Sequence, residues 1–165
     1  LPNYGFLHLA THGFFEPAEE ESQLPGLSAG LVCANANLPK KEGEDDGFLT
    51  AEEVAHLDLQ NCQMVVLSAC ETALGTVRAG EGLQSLRRAF IIAGADTVVS
   101  SLWKVRDADT STLMMAFYKN LWIENQGRGP AMRNAQLEML RHYRDSGTDG
   151  RPSSWGAFVL AGAWR

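Results

Sequence analysis

Two residues of this chain could do covalent chemistry together, Cys70 and His12. Cys70 ends the run Met64-Val65-Val66-Leu67-Ser68-Ala69, and His12 follows Phe6-Leu7-His8-Leu9-Ala10-Thr11 and precedes Gly13. A thiolate is a useful nucleophile when a nearby imidazole helps to form or stabilise it and later protonates a leaving amine. Glycine lets the backbone come close to a substrate carbonyl, so the N–H groups of Gly13 and Cys70 could hold an oxyanion. The chemistry would be acyl transfer to sulfur followed by hydrolysis.

Such a pair works only if the chain delivers both residues to one place. Met64–Leu67 is a short apolar run bounded by turn residues, the pattern of an interior strand in a parallel sheet. Sheets of that kind carry ligands and chemistry beyond the carboxyl ends of their strands, where Cys70 falls. Tyr4–Gly13 reads as a second strand, apolar on both faces, with His12 at its C-terminal end, near or in the turn. His8 lies at even spacing from His12, hence on the same face of a regular strand, and reads as structural. Asp96–Trp103 reads as a third strand, joined to the cysteine strand by a helix over Glu81–Ala93 that stops at Gly94.

The remaining elements frame this unit. Thr50-Ala51-Glu52-Glu53 is a capping box opening a helix to about Leu57. Asp107 or Asp109 can cap a helix whose Leu113, Met114, Phe117, Tyr118 and Leu121 form a core stripe. A further helix starts near Gly129-Pro130 and carries Ala131, Ala135, Leu137 and Leu140; Asp145–Ser154 reads as a loop and Trp155–Ala161 as a last strand. Phe14–Leu24 and Asn35–Gly47 read as exposed connections, and Gly26–Ala34 as a short strand or hairpin arm with Cys33 packing. Cys62 sits on the way into the cysteine strand, and His56 and His142 read as surface or cap residues of helices.

Composition narrows the function classes. With 165 residues, 45% hydrophobic and 21% charged, the chain fits a single domain, 1–165, with a real core. Its net charge of −6 argues against a nucleic-acid surface, and no long apolar span argues for a membrane. Cys33, Cys62 and Cys70 have no metal-ligand spacing and no signal peptide precedes them, which fits a reducing, cytoplasmic setting. No metal and no cofactor is expected. The Gly75, Gly80, Gly82 loop lacks the Gly-Lys-Ser/Thr ending of a phosphate cradle and reads as a mobile wall or cleavable activation loop.

Ala10-Thr11-His12-Gly13, Val66-Leu67-Ser68-Ala69-Cys70-Glu71-Thr72, Gly80-Glu81-Gly82 and Ser101-Leu102-Trp103-Lys104-Val105-Arg106-Asp107 together resemble the CHAT domain. That family belongs to the caspase, separase and gingipain group of cysteine peptidases. Further matches at Asp46–Thr50, Leu113-Met114, Phe117-Tyr118, Ala135-Gln136 and Trp155–Phe158 extend the resemblance over nearly the whole chain, in the family's order. It implies that His12 is the catalytic histidine, Cys70 the nucleophile and Gly13 the source of an oxyanion-hole amide. It also implies that Ser101, Leu102 and Trp103 line the substrate cleft, where an extended peptide can pair as a strand. Asp107 matches an aspartate that in separases faces a basic side chain, so a basic P1 residue is expected.

The resemblance implies a three-layer α/β/α sandwich of caspase-like type around a mostly parallel sheet. Domains of this group have elements before the histidine strand, whereas only Leu1–Asn3 precede it here, so the chain reads as a C-terminal portion without the N-terminal strands. CHAT domains commonly follow tetratricopeptide-type helical repeats that act as sensors, and no repeat of roughly 34 residues occurs in this sequence. The expected function is that of a cysteine endopeptidase acting on a protein or peptide substrate under control of a sensor region. The alternative is a catalytically silent interaction module, which fold likeness alone does not exclude.

Overall fold

A computed structural model describes residues 4–15, 29–39, 45–68, 70–71, 79–147 and 150–165. In chain order the elements are β1 (Phe6–Leu9), β2 (His12–Phe15), β3 (Ala29–Val32), β4 (Phe48–Thr50), α1 (Ala51–Ala55), β5 (Met64–Leu67) and β6 (Cys70–Glu71). They continue with α2 (Ala79–Ile92), β7 (Thr97–Ser101), α3 (Asp107–Tyr118), a π-helical turn (Lys119–Ile123), α4 (Arg128–Asp145), α5 (Pro152–Trp155) and β8 (Phe158–Gly162).

The first sheet has the order β1-β5-β7-β8, with β1, β5 and β7 parallel and β8 antiparallel to β7. Every residue of β5 and β7 is buried; Met64–Leu67 and Thr97–Val99 supply the apolar or β-branched side chains that burial on both faces favours, and the buried serines Ser100 and Ser101 end β7. Alternate residues feed two separate cores. Val65, Leu67 and Val98 pack with Val54 of α1 and with Leu86 and Phe90 of α2. Met64, Val66 and Val99 pack instead with Leu113 and Phe117 of α3 and with Ala131 and Ala135 of α4. The sheet is thus clad by helices on both faces. Phe90 and Phe117, both 0% exposed, anchor the two cores and are each worth about 2–3 kcal/mol of burial.

A second sheet of order β4-β3-β2-β6 departs from the sequence reading. His12 does not sit in a turn at the end of β1; the strand breaks at Ala10-Thr11 and His12 begins β2. The break is held from outside, because the Thr11 hydroxyl donates to the Val32 carbonyl of β3. β3 in turn runs antiparallel to both β2 and β4, and Leu31 roots it in the α1–α2 core. Close approach requires Gly30, since a Cβ there would stand 2.5 Å from the Phe14 ring and 2.7 Å from the Leu49 carbonyl oxygen.

Local signals fare differently. The Thr50–Glu53 capping box forms in full, with Glu53 N–H donating to Thr50 Oγ1 at 3.2 Å and Thr50 N–H to Glu53 Oε2 at 2.8 Å. Gly94, at φ 108°, closes α2 as expected. Neither Asp107 nor Asp109 caps α3: Arg106 holds the N-cap position without a side-chain cap, and the buried Asp109 carboxylate is taken up by an ion pair with the exposed Arg106 guanidinium. Trp155 belongs to α5 rather than the last strand, because Pro152 starts a helical turn. On α4 the buried residues are Ala131, Met132, Ala135 and Met139, with Leu137 and Leu140 only half-buried. Gly80 and Gly82 lie within α2 rather than in a loop. Phe14 and Phe15 belong to β2, and residues 16–28, 40–44 and 72–78 of the expected loops lie outside the described residues. Cys33 is exposed rather than packed.

Candidate catalytic site at the sheet edge

The two chemically capable residues meet through backbone pairing. β1 and β5 run parallel with Phe6 opposite Met64 and Leu9 opposite Leu67. The ladder continues past both strands, since Ser68 N–H donates to the Leu9 carbonyl at 3.0 Å. Both chains then leave the first sheet at the same level and pair again as β2 and β6, with His12 opposite Cys70 and Gly13 opposite Glu71. The register is unchanged across the break. Register partners on neighbouring strands belong to backbones about 4.8 Å apart.

His12 is exposed and opens onto a cavity of about 520 Å³. One wall is the histidine strand and its break (His8, Ala10, Thr11) together with Ser68. The other is one face of α3, where Asp107, Thr110, Ser111, Met114, Met115 and Tyr118 recur at spacings of three and four. This wall is graded. Its N-terminal end carries a carboxylate and two hydroxyls, and its C-terminal end two thioethers and a phenol. Asp107 stands in the first turn of α3, where the helix dipole favours an anion.

At the far end of the cavity His8 Nδ1 and the Tyr118 hydroxyl share a hydrogen bond of 2.9 Å. Desolvation lowers the His8 imidazole pKa below its usual range and pushes the Tyr118 phenol up to about 12. Tyr118 also stacks on Trp122, with ring centroids 4.5 Å apart and planes 4° from parallel. The sequence reading treated Tyr118 as core and missed this pairing. Its signal was available as the Asp107, Thr110, Ser111, Met114 spacing, a second helical face starting at the aspartate.

The other candidate residues occupy distinct places. Gly13 is buried in β2 between Leu31 and Glu71. Ser101 is 3% exposed at the end of β7, opposite Phe158 of β8, so that side of β7 is already paired. Beyond it Leu102 and Trp103 are exposed, with Leu102 N–H donating to the Ala157 carbonyl and Trp103 Nε1–H to the Ser153 carbonyl. Among the described residues, none of these three forms part of the His12 cavity wall, whereas Asp107 does.

The remaining thiols and imidazoles lie elsewhere. Cys62 is buried, and desolvation raises its thiol pKa. His56 bonds to the Glu52 carbonyl of its own helix, and His142 is exposed on α4. No group of three or more His, Cys, Asp or Glu residues able to hold a metal occurs among the described residues. Nor is any described helix long and apolar enough to cross a membrane.

A family model described as "CHAT domain" matches residues 1–163. The chain belongs to the CHAT domain family. This CHAT domain is also 35% identical over 116 residues to tetratricopeptide repeat protein 28 of Mus musculus, a match covering 70% of this chain and 4% of the relative. The protein of the same name from Homo sapiens is 34% identical over 116 residues, with the same coverage. The CHAT domain thus spans a small fraction of these relatives' length.

Proposed function

We propose that this CHAT domain is a cysteine endopeptidase of caspase- and separase-like type, built as a three-layer α/β/α sandwich. The observation that carries the reading is the pairing of β2 with β6, which sets His12 and Cys70 opposite each other. In the proposed reaction the Cys70 thiolate attacks the scissile carbonyl and the oxyanion rests on the N–H groups of Gly13 and Cys70. The His12 imidazolium protonates the departing amine. Water activated by the same imidazole then releases the acyl-enzyme and restores the thiol. The dyad needs neither metal nor cofactor, and its thiol calls for a reducing compartment such as the cytoplasm.

The cavity beside His12 supplies the specificity. Asp107 in its wall suits a basic P1 side chain, whose charged end would form a charge-assisted hydrogen bond to the carboxylate. Ser101, Leu102 and Trp103 would border the extended substrate. The relatives are named for tetratricopeptide repeats, which supports control of the peptidase by a repeat-type sensor region of its parent protein.

That naming also favours a second reading, a silent module that couples such repeats to a partner. Cleavage profiling of a peptide library by the activated full-length protein separates the two. Arg or Lys at P1, lost as a preference in Asp107→Asn and with all cleavage lost in Cys70→Ala, supports the peptidase. Partner binding that survives Cys70→Ala, with no cleavage by the unsubstituted protein, supports the module.

A further inference from the structure

The helical face of the sheet opposite α3 carries a second concavity. It measures about 480 Å³ and lies between α2 and β8. Gln84, Arg87, Arg88, Ile91 and Ile92 recur there at spacings of three and four, and Ala161 of β8 forms the other side. Ile92 is 64% exposed and Ile91 36%, so an aliphatic shelf adjoins two guanidinium groups. Among the described residues neither arginine has a carboxylate partner, although the chain as a whole carries −6.

The backbone beside this shelf also has groups without a partner among the described residues. β8 ends the sheet order, so its outer edge meets no strand among the described residues. Leu102 N–H bonds to the Ala157 carbonyl and Ala163 N–H to the Asp96 carbonyl, which fixes the antiparallel alternation between them. Ala157, Val159, Ala161 and Ala163 therefore turn their backbone groups toward β7. Phe158, Leu160 and Gly162 turn theirs outward, and only the Phe158 carbonyl is taken there, by Gln136 Nε2–H at 2.9 Å. Leu160 and Gly162 offer N–H and C=O groups along the edge that meet no partner among the described residues.

We propose that this corner docks an extended acidic segment of a partner protein, which adds as a strand to β8. Every second side chain of the added strand faces α2, so its carboxylates lie on Arg87 and Arg88 while an aliphatic side chain at another position of that same face rests on Ile91 and Ile92. Charge selects the occupant: two adjacent guanidinium groups without a carboxylate partner among the described residues match one or two carboxylates, whereas a nucleic-acid backbone requires a longer basic track. The open edge selects an extended conformation, because main-chain hydrogen bonds supply affinity in strand addition while alternate side chains supply specificity. α2 and α3 pack on opposite faces of the sheet, so the docked segment stays clear of the His12 cavity and leaves it free for substrate.

The test is a fluorescence-polarisation titration of the full-length protein carrying Cys70→Ala, which removes any cleavage of the probe. The probe is a fluorescein-labelled peptide repeating Glu-Ser-Val-Ser, compared with one repeating Lys-Ser-Val-Ser, so that the charged residues and Val share one face of the strand. The expected result is saturable binding of the acidic peptide and binding of the Lys peptide weaker by about tenfold or more. Arg87→Glu with Arg88→Glu weakens the acidic peptide by a similar factor, as does Ile92→Asp, and N-methylation of alternate peptide amides abolishes binding. Equal binding of both peptides, or acidic binding indifferent to the arginines, overturns the proposal. So does self-association of the protein that Arg87→Glu abolishes without any response to the peptide, which would assign the corner to a second copy.

Discussion

His12 and Cys70 stand opposite each other in the parallel pairing of β2 with β6, in the register that Phe6 and Met64 set in the sheet below. The pair is therefore placed by backbone hydrogen bonding on two strands that leave the main sheet together. β2 is held from its other side by β3, so the position of His12 depends on that contact.

Gly30→Ala tests this dependence. Its Cβ would press on the Phe14 ring and the Leu49 carbonyl, and because the carbonyl belongs to backbone the strands must separate. The expected cost is about 1–3 kcal/mol in chemical denaturation, with the His12 amide among those whose chemical shifts move most. Unchanged stability and an unmoved His12 amide would contradict the support assigned to β3.

The pH response of the cavity follows from His8 and Tyr118. Folded His8 binds its proton less tightly than an unfolded imidazole near 6.5, so its contribution to stability is full above that pH and declines as the pH falls below it. Folded Tyr118 behaves oppositely: its pKa of about 12 against 10.0 unfolded gives a contribution present below pH 10 and lost as pH rises toward 12. Tyrosinate absorbance should lose its step near pH 12 in Tyr118→Phe. A titration identical in that variant would remove Tyr118 from the desolvated wall.

Asp109 is the other titratable anchor of α3. Burial alone would raise its carboxyl pKa, but hydrogen bonds from Tyr143 at 2.6 Å and Arg106 at 2.9 and 3.1 Å outweigh burial and hold it below the usual 3.8. The carboxylate thus stabilises the fold above pH 3.8 and ceases to do so as acid protonates it. Asp109→Ala should cost about 2–3 kcal/mol at neutral pH and less in acid, read from melts at both. An equal loss at both pH values would assign the effect to packing.

What the sequence disclosed and what it concealed divide on length and burial. β5 and β7 were legible because Met64–Leu67 and Thr97–Val99 carry the apolar or β-branched side chains that burial on both faces favours. The capping box at Thr50 and the stop at Gly94 were legible because each meets a local backbone need. The second sheet was not: β6 has two residues and β4 three, too few for any alternation to register. The cavity wall on α3 was concealed for a related reason. Asp107, Thr110 and Ser111 look like a solvated helix face until β1 and β2 are placed across from them.

The most direct test of the account is covalent labelling of activated full-length protein with a peptidyl acyloxymethyl ketone bearing Arg at P1, read by intact mass and peptide mapping. Cys33 is exposed and Cys62 buried, so Cys33 is the competing thiol against which selectivity is read. The account predicts one adduct per chain, on Cys70, abolished by His12→Ala and slowed at least about tenfold by Asp107→Asn. Labelling confined to Cys33, or an adduct on Cys70 that forms equally fast without His12, would contradict the dyad.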